Sequence, residues 1–346
     1  MRLSFQGNRK GLIEIMKYKI MKQLLRLMKT FSFPFLMYAV ILLVSLGAQK
    51  TGYWSGNAFD IIIRGSVVST IIAFAIALPL SGARWDFAAG TIVILSGILG
   101  SNLASMLGLN AVLMLLLTVA IGTLLAMLEG VLYLFLRVPT IIVSLGVVMI
   151  YEALSGLVFD GSGANMFMDT KLTIFAKAPY CYLILAIVLG VYYFLLTDTK
   201  FGYDTRSLGI NAQLAVNNGV NEKKNIIQTY LLVGATLGVA AVLNASTVSV
   251  SPASNLGSTS IMFSSMGPVL VGLYLARFSN LPLGIFSGAI GMNALTYGMV
   301  VLGIDGSVQT IILGAFIVIF MGYTTNQEKL HAFSQRMFHR SGIVSA

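Results

Sequence analysis

A chain of 346 residues that is 57% hydrophobic and only 10% charged cannot cover a water-soluble globule of its size, since soluble domains carry roughly 25% charged residues. The 22 Lys and Arg against 12 Asp and Glu would suit nucleic acid as a partner, but eight of the basic residues fall in the first 30 positions, so no nucleic-acid role is expected. Apolar runs of roughly 20 residues recur and the alternating ten-residue segments of a barrel do not, so the expected class is all-α, a polytopic transmembrane helical bundle in the lipid bilayer.

In chain order, residues 1–30 form a basic segment in which "GLIEIMKYKIMKQLLRLMKT" (Gly11–Thr30) mixes Ile, Leu and Met with Lys at helical spacing. That pattern suits an amphipathic helix on an anionic leaflet; a solvated basic tail that only orients the chain is the other reading. Ten spans follow near 31–48, 60–80, 87–107, 110–135, 140–158, 180–197, 226–249, 262–276, 281–302 and 307–323. The eighth is short and carries Gly267-Pro268, which suggests a broken or partial helix. The transmembrane domain is thus 31–323, and 324–346 is a tail holding both histidines, His331 and His339.

Charge orients the bundle. With the N-terminus inside, the inner segments hold the eight N-terminal basic residues and Arg84, Arg137, Lys200, Arg206, Lys223, Lys224, Arg277, Lys329, Arg336 and Arg340, eighteen in all. The outer segments hold three, Lys50, Lys171 and Lys177, and Arg64 lies within a span. Basic residues concentrate on the cytosolic side, so both termini and the long polar loop 198–225 are expected there.

Within that loop, "NAQLAVNNG" (Asn211–Gly219) reads as a two-turn helix. Asn211 is a good N-cap and Gly219 suits the left-handed position after the C-cap. Leu214 stands where a capping box would need Glu or Gln. So short a helix is marginal alone, and the small Ala212 and Ala215 would let a partner approach; a plain loop with an Asn-Gly turn is the competing reading.

Ionisable residues at membrane depth are functional candidates by default. Arg64, Glu129 and Glu152 fall within spans, with Asn102 and Asn293 as further polar pathway candidates. Arg64 and Glu152, both toward outer ends, could pair with each other, and Glu129 lies toward Arg137. A structural role is favoured for all three. Asp86 is expected to cap the third span. Gly284, Gly288 and Gly291 favour tight packing inside the subunit.

The loop "FGYDTRSLGINAQLAVNNGVNEKK" resembles the cytosolic loop of bacterial ABC importer permeases of the ribose, galactose and xylose type. Phe201, Gly202, Arg206, Ser207, Gly209, Asn211, Ala215, Gly219, Val220 and Asn221 match that family's pattern; Leu214 departs from its usual alanine. "NAFDIIIRGSVVSTIIA", "GTLLAMLEGVLYLFLRVPTIIVSLG" and "MNALTYGMVVLGIDGSVQTIILGAFIV" are similar to its other motifs, in the right order. "LSGARWDFAAG" keeps Gly82, Asp86 and Gly90 of a glycine-rich motif, and Glu129 replaces an asparagine, so the chain is identified as a divergent member.

The resemblance implies a translocation subunit in the bacterial plasma membrane that docks a coupling helix on a separate ABC ATPase subunit, through Gly209, Asn211, Ala212, Leu214, Ala215, Gly219 and Asn221. It also implies a second permease, like or unlike, an extracytoplasmic solute-binding protein, and a small hydrophilic solute such as a sugar. No G-x-x-x-x-G-K-[ST] loop occurs, so the chain is expected to bind no cofactor itself and to be no enzyme, with ATP used by the partner. The alternative is an ion-coupled secondary transporter with Glu129 or Glu152 as the coupling acid.

Overall fold

A computed structural model describes residues 3–166 and 169–327, with side chains from Met21 onward; the tail histidines lie outside the described residues. Among the described residues there are twelve α-helices: α1 (Leu3–Gly47), α2 (Ala58–Ser81), α3 (Ala89–Met106), α4 (Ala111–Leu136), α5 (Thr140–Leu157), α6 (Tyr180–Asp198), α7 (Lys200–Ile210), α8 (Ala212–Asn217), α9 (Glu222–Thr247), α10 (Thr259–Leu275), α11 (Leu281–Val301) and α12 (Gly306–Thr325). Among the described residues nine helices are long and apolar enough to cross a membrane, and α10 is a shorter apolar helix. Extended pairing is limited there to a bridge between Ala164 and Val250.

Each expected span corresponds to one helix, with two differences of detail. No break separates the basic segment from the first span: α1 runs unbroken across residue 30. The eighth span is short but continuous, with Pro268 inside α10. Gly288 opposes the Pro268 carbonyl so closely that a Cβ there would lie 2.8 Å from it.

Lipid removes the hydrophobic drive between helices, so close backbone approach and hydrogen bonds must hold the bundle. The tightest crossing is α4 on α9. A Cβ on Gly234 would lie 2.5 Å from the Gly122 carbonyl oxygen, and one on Gly238 would lie 2.6 Å from Val119 Cα. Around it, Ile71, Phe74, Leu78, Ile92, Leu95 and Leu237 of α2, α3 and α9 form the buried core. The three α11 glycines pack inside the chain as expected, Gly284 and Gly288 against α10 and Gly291 against Phe33 of α1. The Ser287 hydroxyl donates to the Thr30 carbonyl at 2.7 Å, which fixes α1 to α11. The most apolar stretch of α12 is entirely unburied within the chain.

The connections described here gather into two sets. At one end Gly209, between α7 and α8, lies on the Ser81 carbonyl closing α2, and Arg84 reaches Asn225 of α9 at 2.8 Å. At the other, Asn102 donates to the Gly163 carbonyl at 2.8 Å, and Tyr53 is buried with its ring between Tyr38 and Tyr297, donating to the Ala294 carbonyl at 3.2 Å.

Candidate functional site

The polar loop folds as an elbow of two helices. At its start the Thr199 hydroxyl accepts from the Gly202 amide at 3.4 Å, and Gly202 lets the chain turn tightly, since a Cβ would lie 2.5 Å from the Leu195 carbonyl. Asn211 ends α7 and starts α8; its Oδ1 accepts from the Leu214 amide at 2.9 Å. Gly219 adopts φ +87°. The Val220 amide reaches back to the Ala215 carbonyl at 3.1 Å, and the Gly219 amide to Val216 at 2.9 Å. That pair is a Schellman motif, which needs a left-handed residue that glycine adopts without strain. Asn221 then caps α9, accepting from the Lys224 amide at 3.0 Å, with Glu222 favourably placed in the first turn.

Asn211, Gly219 and Asn221 therefore sit at helix ends, where their chemistry suits them. Helix α7 is the element that sequence reading missed. Its interior holds Gly202 and Gly209, poor helix formers; the available signal was Thr199 in capping position, with Arg206 three residues after Tyr203, the guanidinium 4.8 Å from the ring centre.

The elbow shows an apolar face. Ile210 is 87% exposed and Leu214 60%, with Tyr203 and Val216 also exposed. Ala212 is exposed, but Ala215 is only 6% exposed and packs inward with Leu208. The close approach expected at both alanines is thus open at Ala212, while Ala215 is covered by the chain itself. The apolar residues that face outward are Ile210, Leu214 and Val216.

Behind the elbow lies a buried polar layer. Arg84, Asp86, Asn225 and Thr205 are all at or below 5% exposure. Asp86 is not the N-cap of α3. Ala88 holds that position, and Asp86 Oδ1 accepts from the Ala88 amide at 2.8 Å. Its other carboxylate oxygen and both of Glu129 have no hydrogen-bond donor among the described residues; the two carboxyl groups are neighbours, and both residues are buried. Glu129 thus turns inward to the loop after α2 rather than toward Arg137, which lines a separate surface cavity with Glu222 and Lys223.

At the opposite end Glu152 does not pair with Arg64. It clamps backbone, Oε2 accepting from the Leu256 amide at 2.9 Å and Oε1 from the Ser258 amide at 2.8 Å. Arg64 Nε instead pairs with Asp60 at 2.7 Å, one helical turn earlier on α2, and the Tyr182 hydroxyl donates to the same carboxylate at 2.5 Å. Asn293 donates to Ser69 Oγ and the Ala289 carbonyl, both at 2.9 Å, joining α11 to α2. Sequence separation carries no information on such pairings, since helices far apart in the chain share a face.

The Glu152 clamp leads to a first expected result. Glu152→Ala leaves the buried Ser258 amide and the part-buried Leu256 amide without acceptors, at about 1–3 kcal/mol for the buried one. Its thermal midpoint in detergent should fall clearly below that of wild type, and limited proteolysis should cut faster at 251–258. An unchanged midpoint and cleavage pattern would show that the clamp contributes nothing.

A bundle of apolar helices with small-residue crossings and a structured polar elbow defines a polytopic membrane protein. The family described as branched-chain amino acid transport system / permease component matches residues 57–327, and the chain belongs to it. It is a multi-pass protein of the plasma membrane. Among its relatives, the galactose/methyl galactoside import permease protein MglC of Haemophilus influenzae is 26% identical over 304 residues, covering 81% of this chain and 90% of that protein. The L-arabinose ABC transporter permease protein AraH of Azospirillum brasilense is 26% identical over 285 residues, covering 79% and 81%. The galactofuranose transporter permease protein YtfT of Escherichia coli is 22% identical over 278 residues, covering 78% and 80%. No solved structure matches the chain.

Proposed function

We propose that this chain is the membrane subunit of an ATP-driven importer for a pentose or hexose, and that the α7–α8 elbow docks on its ATPase. The observation that carries the docking is the elbow's exposed apolar face, with Ile210 87% and Leu214 60% exposed. It stands at the end where basic residues gather, the cytosolic side by the charge rule. Solvent-facing Ile and Leu on either side of the Asn211 bend suit a protein groove. The sugar class rests on the relatives named for galactosides, arabinose and galactofuranose.

The partners are an ABC ATPase, a second permease copy or homologue, and a solute-binding protein on the outer side. ATP chemistry belongs to the ATPase. ATP-driven closure of the ATPases moves the elbow and alternates access to the pathway. The ion-coupled alternative loses one of its two acids, because both Glu152 oxygens are taken by backbone amides, and Glu129 faces Asp86 inside the bundle.

The test is purification of the tagged chain from its native membrane in mild detergent. A near-stoichiometric ATPase with a phosphate-binding loop, whose hydrolysis rises with a sugar-loaded binding protein, is the expected result. A chain that purifies alone and transports without an ATPase would overturn the proposal.

A further inference from the structure

Four elements meet around the loop between α2 and α3, and their contacts run as one line across the protein. The Asn225 side chain stands at its start, donating to Thr205 Oγ1 of α7 at 2.8 Å. Its carbonyl oxygen accepts from Arg84 Nη2 at 2.8 Å, and the other Arg84 arm points to Thr229 Oγ1 at 3.5 Å. Thr205 is fully buried, Asn225 3% and Arg84 4% exposed. Among the described residues Arg84 makes no ion pair. A buried guanidinium held by neutral acceptors depends on its directional fork, which a lysine does not reproduce. On the same face Gly209 rests on the Ser81 carbonyl, and a Cβ on Gly82 would lie 3.3 Å from the Arg84 guanidinium carbon.

Beyond Arg84 the line continues. Asp86 holds the Ala88 amide at 2.8 Å, and the Phe87 ring meets Phe263 of α10 edge-on at 6.0 Å. Gly90, in the first turn of α3, sits directly on the Ser258 carbonyl, with no room for a side chain. The Ser258 amide is one of the two that Glu152 clamps. The elbow at one end and the 251–258 loop at the other are therefore joined by buried hydrogen bonds, by the backbone of residues 82–90 and by close backbone contacts. Packed side chains, hydrogen-bond networks and rigid backbone contacts of this kind can carry coupling between distant sites.

We infer that Arg84, held by Asn225, which is itself anchored on Thr205, is a positioning residue that transmits elbow motion to residues 82–88 and from there to the 251–258 loop at the opposite mouth. This rests on the reading of the elbow as the ATPase dock, but its test does not need the ATPase. The amides of Ala88, Leu256 and Ser258 report on the line, because their acceptors are Asp86 and Glu152.

Arg84→Ala risks misfolding, so the main variant is Thr205→Val, which deletes one hydroxyl. Amide hydrogen exchange is measured on the full chain in lipid nanodiscs. Exchange at Ala88, Leu256 and Ser258 should rise about fivefold or more, as local opening becomes easier, while α12 keeps its wild-type rate. Thr205→Ser, which restores the hydroxyl, should return all three amides to within about twofold of wild type. A rise confined to α7 and the start of α9, or one spread evenly over α12 as well, overturns the relay. Loss of the docking reading would appear separately, as failure of an ATPase to co-purify with the unmodified chain.

Discussion

Replacing Ile210 and Leu214 together by arginine should abolish capture of the ATPase and leave the permease folded. Both side chains stand in solvent, so their exchange costs the isolated fold no more than about 0.5 kcal/mol. In a docked complex each buried aliphatic side chain contributes about 1.5–3 kcal/mol. Two together account for at least about 3 kcal/mol, roughly a hundredfold in affinity, before the cost of forcing two guanidinium groups into an apolar groove. The readouts are the ATPase-to-permease ratio after affinity purification and the thermal midpoint of the permease alone. The ratio should fall to background and the midpoint should hold. Ala215→Trp should behave in the opposite order: Ala215 is buried under the elbow, so the midpoint falls first and any loss of ATPase follows from it. A double arginine variant that retains full ATPase binding would remove the docking face from the account.

The second large effect lies in the bundle. Gly234→Leu and Gly238→Leu place side-chain carbons where α4 backbone already stands, 2.5 Å from the Gly122 carbonyl and 2.6 Å from Val119 Cα. Overpacking a well-packed core costs about 1–3 kcal/mol when side chains can shift; here the obstacle is main chain, and the two helices must separate. Either variant should lose the monodisperse peak in fluorescence-detected gel filtration. Gly146→Leu and Gly314→Leu are the controls, because nothing lies within 4 Å of a Cβ at either site, and both should purify like wild type. Normal folding of Gly234→Leu would mean that the α4–α9 contact is looser than described.

How far the sequence was legible depends on the range of the physics involved. The helix positions were readable, because each is a run of apolar residues bounded by polar ones. The caps at Asn211 and Gly219 were readable for the same reason: capping acts within four residues. Helix α7 was hidden by its two glycines, which cost helix propensity locally but allow the close turns at Leu195 and Ser81 that the fold demands. The charges within the spans were visible as anomalies and were paired wrongly. Arg64 found Asp60 on its own helix, Glu152 found backbone amides about a hundred residues away in the chain, and Glu129 found Asp86. Which neighbour wins is set by how helices cross, and the α4–α9 glycines that set one such crossing read in the sequence only as scattered small residues.

Reconstitution separates ATP-driven import from ion-coupled transport most directly. The chain, its co-purified ATPase and the solute-binding protein are placed in liposomes with the cytosolic face inward, and uptake of a radiolabelled panel of pentoses and hexoses is followed. Uptake of at least one sugar should require ATP in the lumen and persist when ionophores collapse proton and sodium gradients. Uptake without ATP that follows an imposed ion gradient would contradict the assignment.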